Sequence, residues 1–195
     1  MSFIIFCVLL IVVILFIAGI YNKLVTLKNR FQNSFAQIEV QLKRRYDLIP
    51  NLVEIAKGYM SHEKETLEAV ISARNEAAAI LKATAGNNNK NNLSQLAAAE
   101  GSLQSALGKL NVVMEAYPDL KASDNMMQLT EELTTTENRV SFARQGFNDA
   151  VMEYNNYKQS FPPVMIASFF GHKNDANLLE FADSVQIQEA PKVSF

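Results

Sequence analysis

Tryptophan is absent from this sequence, and cysteine occurs 1 time, histidine 2, proline 5 and glycine 7 times in 195 residues. Each scarcity removes a class of protein. The lone Cys7 can form neither an intrachain disulfide nor a cysteine-based metal site. It is no lipoprotein cysteine either, because only a handful of residues precede it and lipid attachment needs a full apolar signal ahead. His62-Glu63-Lys64-Glu65 lacks the second histidine, four residues on, that a zinc-protease helix requires, and His172 is the only other histidine, so no metal is expected. Scarce glycine and proline disfavour a fold built from strands and tight turns. There is no glycine-rich phosphate loop, no Gly-x-Ser-x-Gly elbow and no Cys/His pair, so the sequence implies no catalytic residues and no cofactor. With 18 basic and 20 acidic residues the formal net charge is -2, which gives no polyelectrolyte attraction to nucleic acid.

What is present begins with an apolar run. From Phe3 to Ile20 no residue is charged, and at about 1.5 Å per helical residue the run covers about 27 Å, the thickness of a bilayer core. A cleaved signal would open on basic residues and close on a small-x-small site. This chain opens Met1-Ser2 and closes Ala18-Gly19-Ile20-Tyr21, so a retained anchor is expected, in contact with lipid through residues 3–20. Lys23, Lys28 and Arg30 follow the run and nothing basic precedes it, which places the N-terminus outside and the following domain in the cytoplasm. Tyr21 and Asn22 suit the headgroup level.

Beyond Asn22 apolar residues recur in alternating steps of three and four. Leu24, Phe31, Ile38, Leu52 and Tyr59 form one row, and Phe35, Leu42, Ile49 and Ala56 a second, the signature of coiled-coil-like packing. The membrane helix is expected to continue into this stripe. Pro50 interrupts it, so a kink or short break is expected near Asp47-Leu48-Ile49. The pattern runs on through Leu67, Val70 and Ile71 into an alanine-rich stretch and stops at Gly86, in an asparagine-rich loop.

A second helix is expected from about Leu93 to Tyr117, with Leu96, Leu103, Leu107, Leu110 and Met114 on one face and Pro118 ending it. Ser123 is a suitable N-cap for a third helix. Its stripe runs Met126, Leu129, Leu133, Thr136, Val140, Ala143, Phe147, Ala150, Tyr154, Tyr157 and Phe161, until Pro162-Pro163 stops it. Val164 to Phe170, then Leu178 to Phe181, fit a fourth, shorter helical unit. The fold class is thus all-α: a transmembrane anchor over 1–21, an elongated antiparallel bundle of about four helices over 22–185, and an extended tail over 186–195.

Tyr21-Asn22-x-Leu24-Val25 and the block Gln41-Leu42-Lys43-Arg44-Arg45-Tyr46-Asp47-Leu48-Ile49-Pro50-Asn51-Leu52-Val53-Glu54 resemble the LemA family. Further segments resemble it in the same order: Lys57-Gly58-Tyr59, His62 to Glu65, Ala73-Arg74, Tyr117 to Ala122, Thr136 to Arg139, Ala143-Arg144, Tyr154-Asn155, Phe161-Pro162 and Pro191 to Phe195. The likeness covers nearly the whole chain from the membrane exit onward. It implies a bacterial cell-membrane protein with one N-terminal span, a helical bundle, no enzyme activity and, in at least one lineage, membrane-organising work. The asparagine-rich insert and Phe169-Phe170-Gly171-His172 depart from the family pattern.

One cluster stands out as a candidate site. Arg45 falls on the apolar row between Ile38 and Leu52, where a guanidinium is costly unless a carboxylate meets it. With Lys43, Arg44 and Asp47, and with Glu137 of the third helix as the expected counter-charge, it is read as a register-setting or partner-receiving cluster. The plainer reading is an arginine whose stem lies along apolar surface. Val164 to Phe170 reads mainly as the cap of a bundle end, with a membrane or partner contact as the alternative. The partners expected are the bilayer and other membrane proteins, and a homo-oligomer is compatible with the pattern. The function expected is that of a scaffold, the alternative a protein that self-assembles laterally to organise or remodel membrane.

Overall fold

A computed structural model describes residues 1–85 and 89–181. The proposed tail over 186–195 and the boundary ahead of it lie outside the described residues. The described part is helical, without strands, and its backbone is set by α1, Ser2–Tyr59. This one helix of 58 residues has a length of about 87 Å at the standard rise. Its large apolar side chains from Phe3 to Phe16 are exposed, whereas Ile20, Leu24, Leu27, Phe31, Phe35, Ile38, Leu42, Ile49, Leu52 and Ala56 are buried. The apolar run therefore continues into the bundle without a joint. Pro50 sits inside α1, and the helix continues through the expected break at Asp47-Leu48-Ile49.

The stripe that looks continuous as far as Gly86 is two helices. The chain reverses at Met60–Glu63: the Met60 amide donates to the Ala56 carbonyl at 2.8 Å and the Glu63 amide to the Met60 carbonyl at 3.2 Å. Met60 is fully buried, plugging the corner. Because the corner carries no proline, and the apolar steps resume at Leu67 and Val70, periodicity passes across it undisturbed. Helix α2, Lys64–Thr84, then folds back along α1 and buries Leu67, Val70, Ala77 and Leu81.

Helix α3, Lys90–Met114, packs chiefly on α2. It begins three residues before the expected Leu93 because the Asn89 side chain accepts from the Asn92 amide at 2.8 Å, supplying one of the donors a helix start leaves unmatched. A single turn, α4, Pro118–Lys121, buries Leu120. Helix α5, Asp124–Gln159, has Ser123 at its N-cap position and returns antiparallel to α1, against which it packs along most of its length. Its junction with α1 is aromatic: Phe147 meets Phe35 at 5.5 Å between ring centroids and Phe31 at 6.5 Å, and Tyr154 meets Phe31 at 5.2 Å. Such aromatic pairs, two of them edge-on, add to the stabilisation that burial itself provides.

The fourth unit is shorter than its composition suggests. Only α6, Pro163–Ala167, is helical, and residues 176–181 carry no helix. That last segment lies along α5, held by asparagine side chains in place of a helical ladder. Asn155 accepts from the Ala176 amide and donates to its carbonyl, both at 2.9 Å. One heptad earlier, Asn148 does the same for Leu179, at 2.9 and 3.1 Å. Seven helical residues advance about 10.5 Å, the span of three extended residues, so the spacing of the two asparagines matches the segment they hold. Arg144 completes the row, its guanidinium 4.6 Å from the Phe181 ring centroid.

Candidate functional site

The Arg45 level is where α1, α2 and α3 are tied together by polar groups. Arg45 and Glu100 are only 5% and 2% exposed. Arg45 Nη1 donates to Glu100 Oε2 at 3.0 Å, and the Tyr46 hydroxyl donates to the other carboxylate oxygen, Oε1. Both oxygens of a buried carboxylate are thereby matched, as its removal from water requires. Burial nonetheless raises the Glu100 carboxyl above its ordinary range, against the opposing pull of the Tyr46 hydrogen bond and the Arg45 charge, while the more distant Glu137 adds to the rise. Burial, with the Glu100 charge beside it, likewise raises the Tyr46 phenol, which keeps it a hydrogen-bond donor.

A second tie starts from Pro50. Proline has no N–H, so the carbonyl four residues back, that of Tyr46, loses its helical donor. Arg74 of α2 supplies one, its Nε lying 2.9 Å from the Tyr46 oxygen. Arg74 Nη2 also lies 3.7 Å from Asp47 Oδ1, and Nη1 donates to Asn75 Oδ1 at 3.1 Å. The block Arg45-Tyr46-Asp47-x-x-Pro50 thus carries both halves of an interlock: Arg45 and Tyr46 grip α3, while Asp47 and the carbonyl freed by Pro50 grip α2.

The structure brings together some of the residues singled out from the sequence and separates others. Arg45 is buried and paired, but its carboxylate is Glu100 rather than Glu137. Glu137, on α5, is exposed and accepts from Gln104 Nε2 of α3 at 3.5 Å. It lines, with Arg45, Gln104 and Leu133, a groove of about 250 Å³ between α3 and α5. Lys43 and Arg44 are exposed, and Asp47 is exposed beside Arg74. Glu100 carried a readable signal: it stands on the apolar row of α3 between Leu96 and Leu103, the counterpart of Arg45 on α1. The role of Arg74 had none, because its acceptor is main chain.

A second polar group lies toward the start of the bundle. His172 is buried, its Nδ1 2.8 Å from the Tyr154 hydroxyl, and its amide donates to the Ala167 carbonyl at 3.0 Å. Burial, aided by the Lys28 and Lys158 charges, holds the imidazole below its ordinary value, and its Nδ1 shares one hydrogen bond with the Tyr154 hydroxyl. Lys158, also buried, pairs with Asp175. The hydrogen bonds from Lys158 and Gln159 hold the Asp175 carboxyl below the usual range.

A bundle rooted on one long N-terminal helix, with buried polar groups tying α1 to α3 and α5 to the segment after α6, defines a class of all-helical proteins. The chain belongs to the LemA family, whose profile matches residues 34–195. It is 28% identical to Protein LemA of Metamycoplasma hominis over 160 residues, which cover 82% of this chain and 69% of that protein. It is 26% identical to Magnetosome protein MamQ 2 of Paramagnetospirillum magneticum over 183 residues, covering 83% of this chain and 66% of that one. With Magnetosome protein MamQ of Magnetospirillum gryphiswaldense the identity is 24% over 172 residues, covering 78% and 62%. The chain therefore spans about two thirds of the length of these relatives.

Proposed function

We propose that this protein is a membrane-anchored helical scaffold: residues 3–20 cross a bacterial cell membrane once, and the bundle beyond them holds partner proteins without catalysing a reaction. The observation that carries this reading is the continuity of α1, which leaves its apolar side chains uncovered from Phe3 to Phe16 and then supplies the bundle core from Ile20 to Ala56. Side chains of that kind, exposed on every side of a helix, suit hydrocarbon rather than water. Lys23, Lys28 and Arg30 directly after the run favour a cytoplasmic bundle. The engagement of Arg45, Glu100, Tyr154 and His172 with one another supports a structural use of the buried polar groups.

Protease added to intact spheroplasts tests the topology. The bundle is expected to be protected until the cells are lysed, and digestion in intact spheroplasts overturns the orientation. Affinity capture from solubilised membranes tests the scaffold role, with one reproducible stoichiometric partner as the expected result. A second reading is lateral self-assembly that organises or remodels membrane, prompted by the likeness to relatives named as magnetosome proteins. Crosslinking in native membranes separates the two: ladders of self-crosslinks favour assembly, whereas monomers and heteromers alone favour the scaffold.

A further inference from the structure

The stretch from the α5–α6 turn to just past α6, called the α5–α6 turn below, exposes a concentration of apolar side chains. Phe161 is 79% exposed, Met165 63% and Phe169 86%, with Val164 beside them. Singly exposed apolar residues are ordinary on a protein surface, but a contiguous group marks a contact. Helix α6 is divided in this respect: Pro163 and Ala167 are buried against the bundle, while Val164 and Met165 face away from it. Capping the bundle end therefore accounts for half of the segment.

The position of the turn says what the other half meets. Arg30 pairs with Glu153 and Phe31 stacks near Tyr154, which fixes the antiparallel register of α1 and α5. From Glu153 to Ser160 the chain descends about 10 Å along α1, reaching the level of Lys23. Beyond it, Phe170 lies with its ring centroid 5.1 Å from that of Tyr21. Tyr21 is the first residue after the apolar run, so the exposed side chains sit at the height where that run ends. Lys23, Lys28 and Lys173 are exposed around them.

We propose that the α5–α6 turn is a second membrane contact, in which Phe161, Val164, Met165 and Phe169 enter the interfacial layer of the bilayer beside the base of α1. The proposal rests on residues 3–20 crossing that bilayer. Phenylalanine and other apolar side chains bury at the headgroup–acyl boundary, and nearby lysines meet anionic headgroups there. The contact is intramolecular with respect to the anchor, so a small apolar surface suffices to hold it. Two points of attachment fix the rotation of α1 about its own axis and set which face of the bundle looks away from the membrane.

The absence of tryptophan makes the test direct. Single-tryptophan variants of the full chain, Phe169→Trp, Met165→Trp, Phe142→Trp and Phe16→Trp, are reconstituted into phosphatidylcholine–phosphatidylglycerol vesicles, with or without bromine at a shallow acyl position. Phe16 lies within the apolar run, and Phe142 is exposed on α5 well above the turn. The expected result is bromine quenching and blue-shifted emission for Phe169→Trp and Met165→Trp, at least half as strong as for Phe16→Trp, with Phe142→Trp unaffected. If Phe16→Trp is quenched while both turn variants behave like Phe142→Trp, the second contact is overturned and the anchor stands. Blue-shifted turn variants that bromine fails to quench are covered by protein, which also overturns it. Failure of Phe16→Trp to quench removes the anchor and this contact together.

Discussion

Arg74 of α2 donates a hydrogen bond to the main-chain oxygen of Tyr46, at 2.9 Å, where the proline at position 50 has removed the helix's own donor. A backbone defect in one helix has become the attachment point for another. Proline within a helix ordinarily costs about 3 kcal/mol, and here the freed acceptor is used to fix the register between α1 and α2.

Removing that donor leaves a partly buried carbonyl unmatched. Arg74→Met is expected to lower stability by about 1–3 kcal/mol, read as a fall in the thermal midpoint by circular dichroism in detergent. Pro50→Ala restores an amide and makes Arg74 redundant for this bond, so the loss caused by Arg74→Met should shrink in the Pro50→Ala background. A double-mutant cycle with no coupling would refute the interlock.

The Arg45–Glu100 pair predicts a different pattern. Arg45→Met alone strands a buried carboxylate and is expected to cost about 3–5 kcal/mol, whereas Arg45→Met with Glu100→Leu recovers most of the loss. Because burial raises the Glu100 carboxyl, the folded state holds its proton where the unfolded chain has already released it. The stability this group contributes is complete below its ordinary value of 4.5 and declines as pH rises through its folded value. The advantage of wild type over Glu100→Gln should therefore narrow across that window, and a constant difference would count against the assignment.

His172 titrates with the opposite sign. Its folded value lies below the ordinary 6.5, so the unfolded chain takes up the proton first. Its contribution is present above pH 6.5 and lost as acid carries the pH down through the folded value. His172→Asn should flatten this slope in the melting temperature between neutral and mildly acid pH, with Lys28 and Lys158 left in place. An unchanged slope would assign the acid sensitivity to other groups.

The asparagine clamp predicts local rather than global loosening. Asn155→Ala removes both bonds to Ala176, at about 1 kcal/mol each, and is expected to speed tryptic cleavage after Lys173 while leaving the helical signal unchanged. Asn155→Asp retains the acceptor without the donor, so its cleavage rate should fall between wild type and Asn155→Ala.

Much of this architecture was legible in the residues. The stripe from Met126 to Tyr157 is one helix in the structure, because an amphipathic surface with so regular a period has only one way to hide from water. That Arg45 needed a counter-charge followed from its place on an apolar row. Which carboxylate answered it depended on the reversal at Met60, and that corner is written with Ser61, His62 and Glu63 rather than with glycine or proline. Once α2 turns back, α3 rather than α5 carries the acid nearest Arg45. Asn148 and Asn155 were hidden for a related reason: an asparagine on a helix face reads as a surface residue until the chain it clamps is in place.

An unjointed α1 also has a mechanical consequence. From Ile20 to Tyr59 the helix extends about 58 Å, with no flexible linker between the apolar run and the far corner. In a bilayer, a tilt of about 10° at its base would swing the Met60 corner sideways by about 10 Å. Thickness or curvature of lipid around the apolar run would thereby be converted, by leverage alone, into the position of a surface far from it.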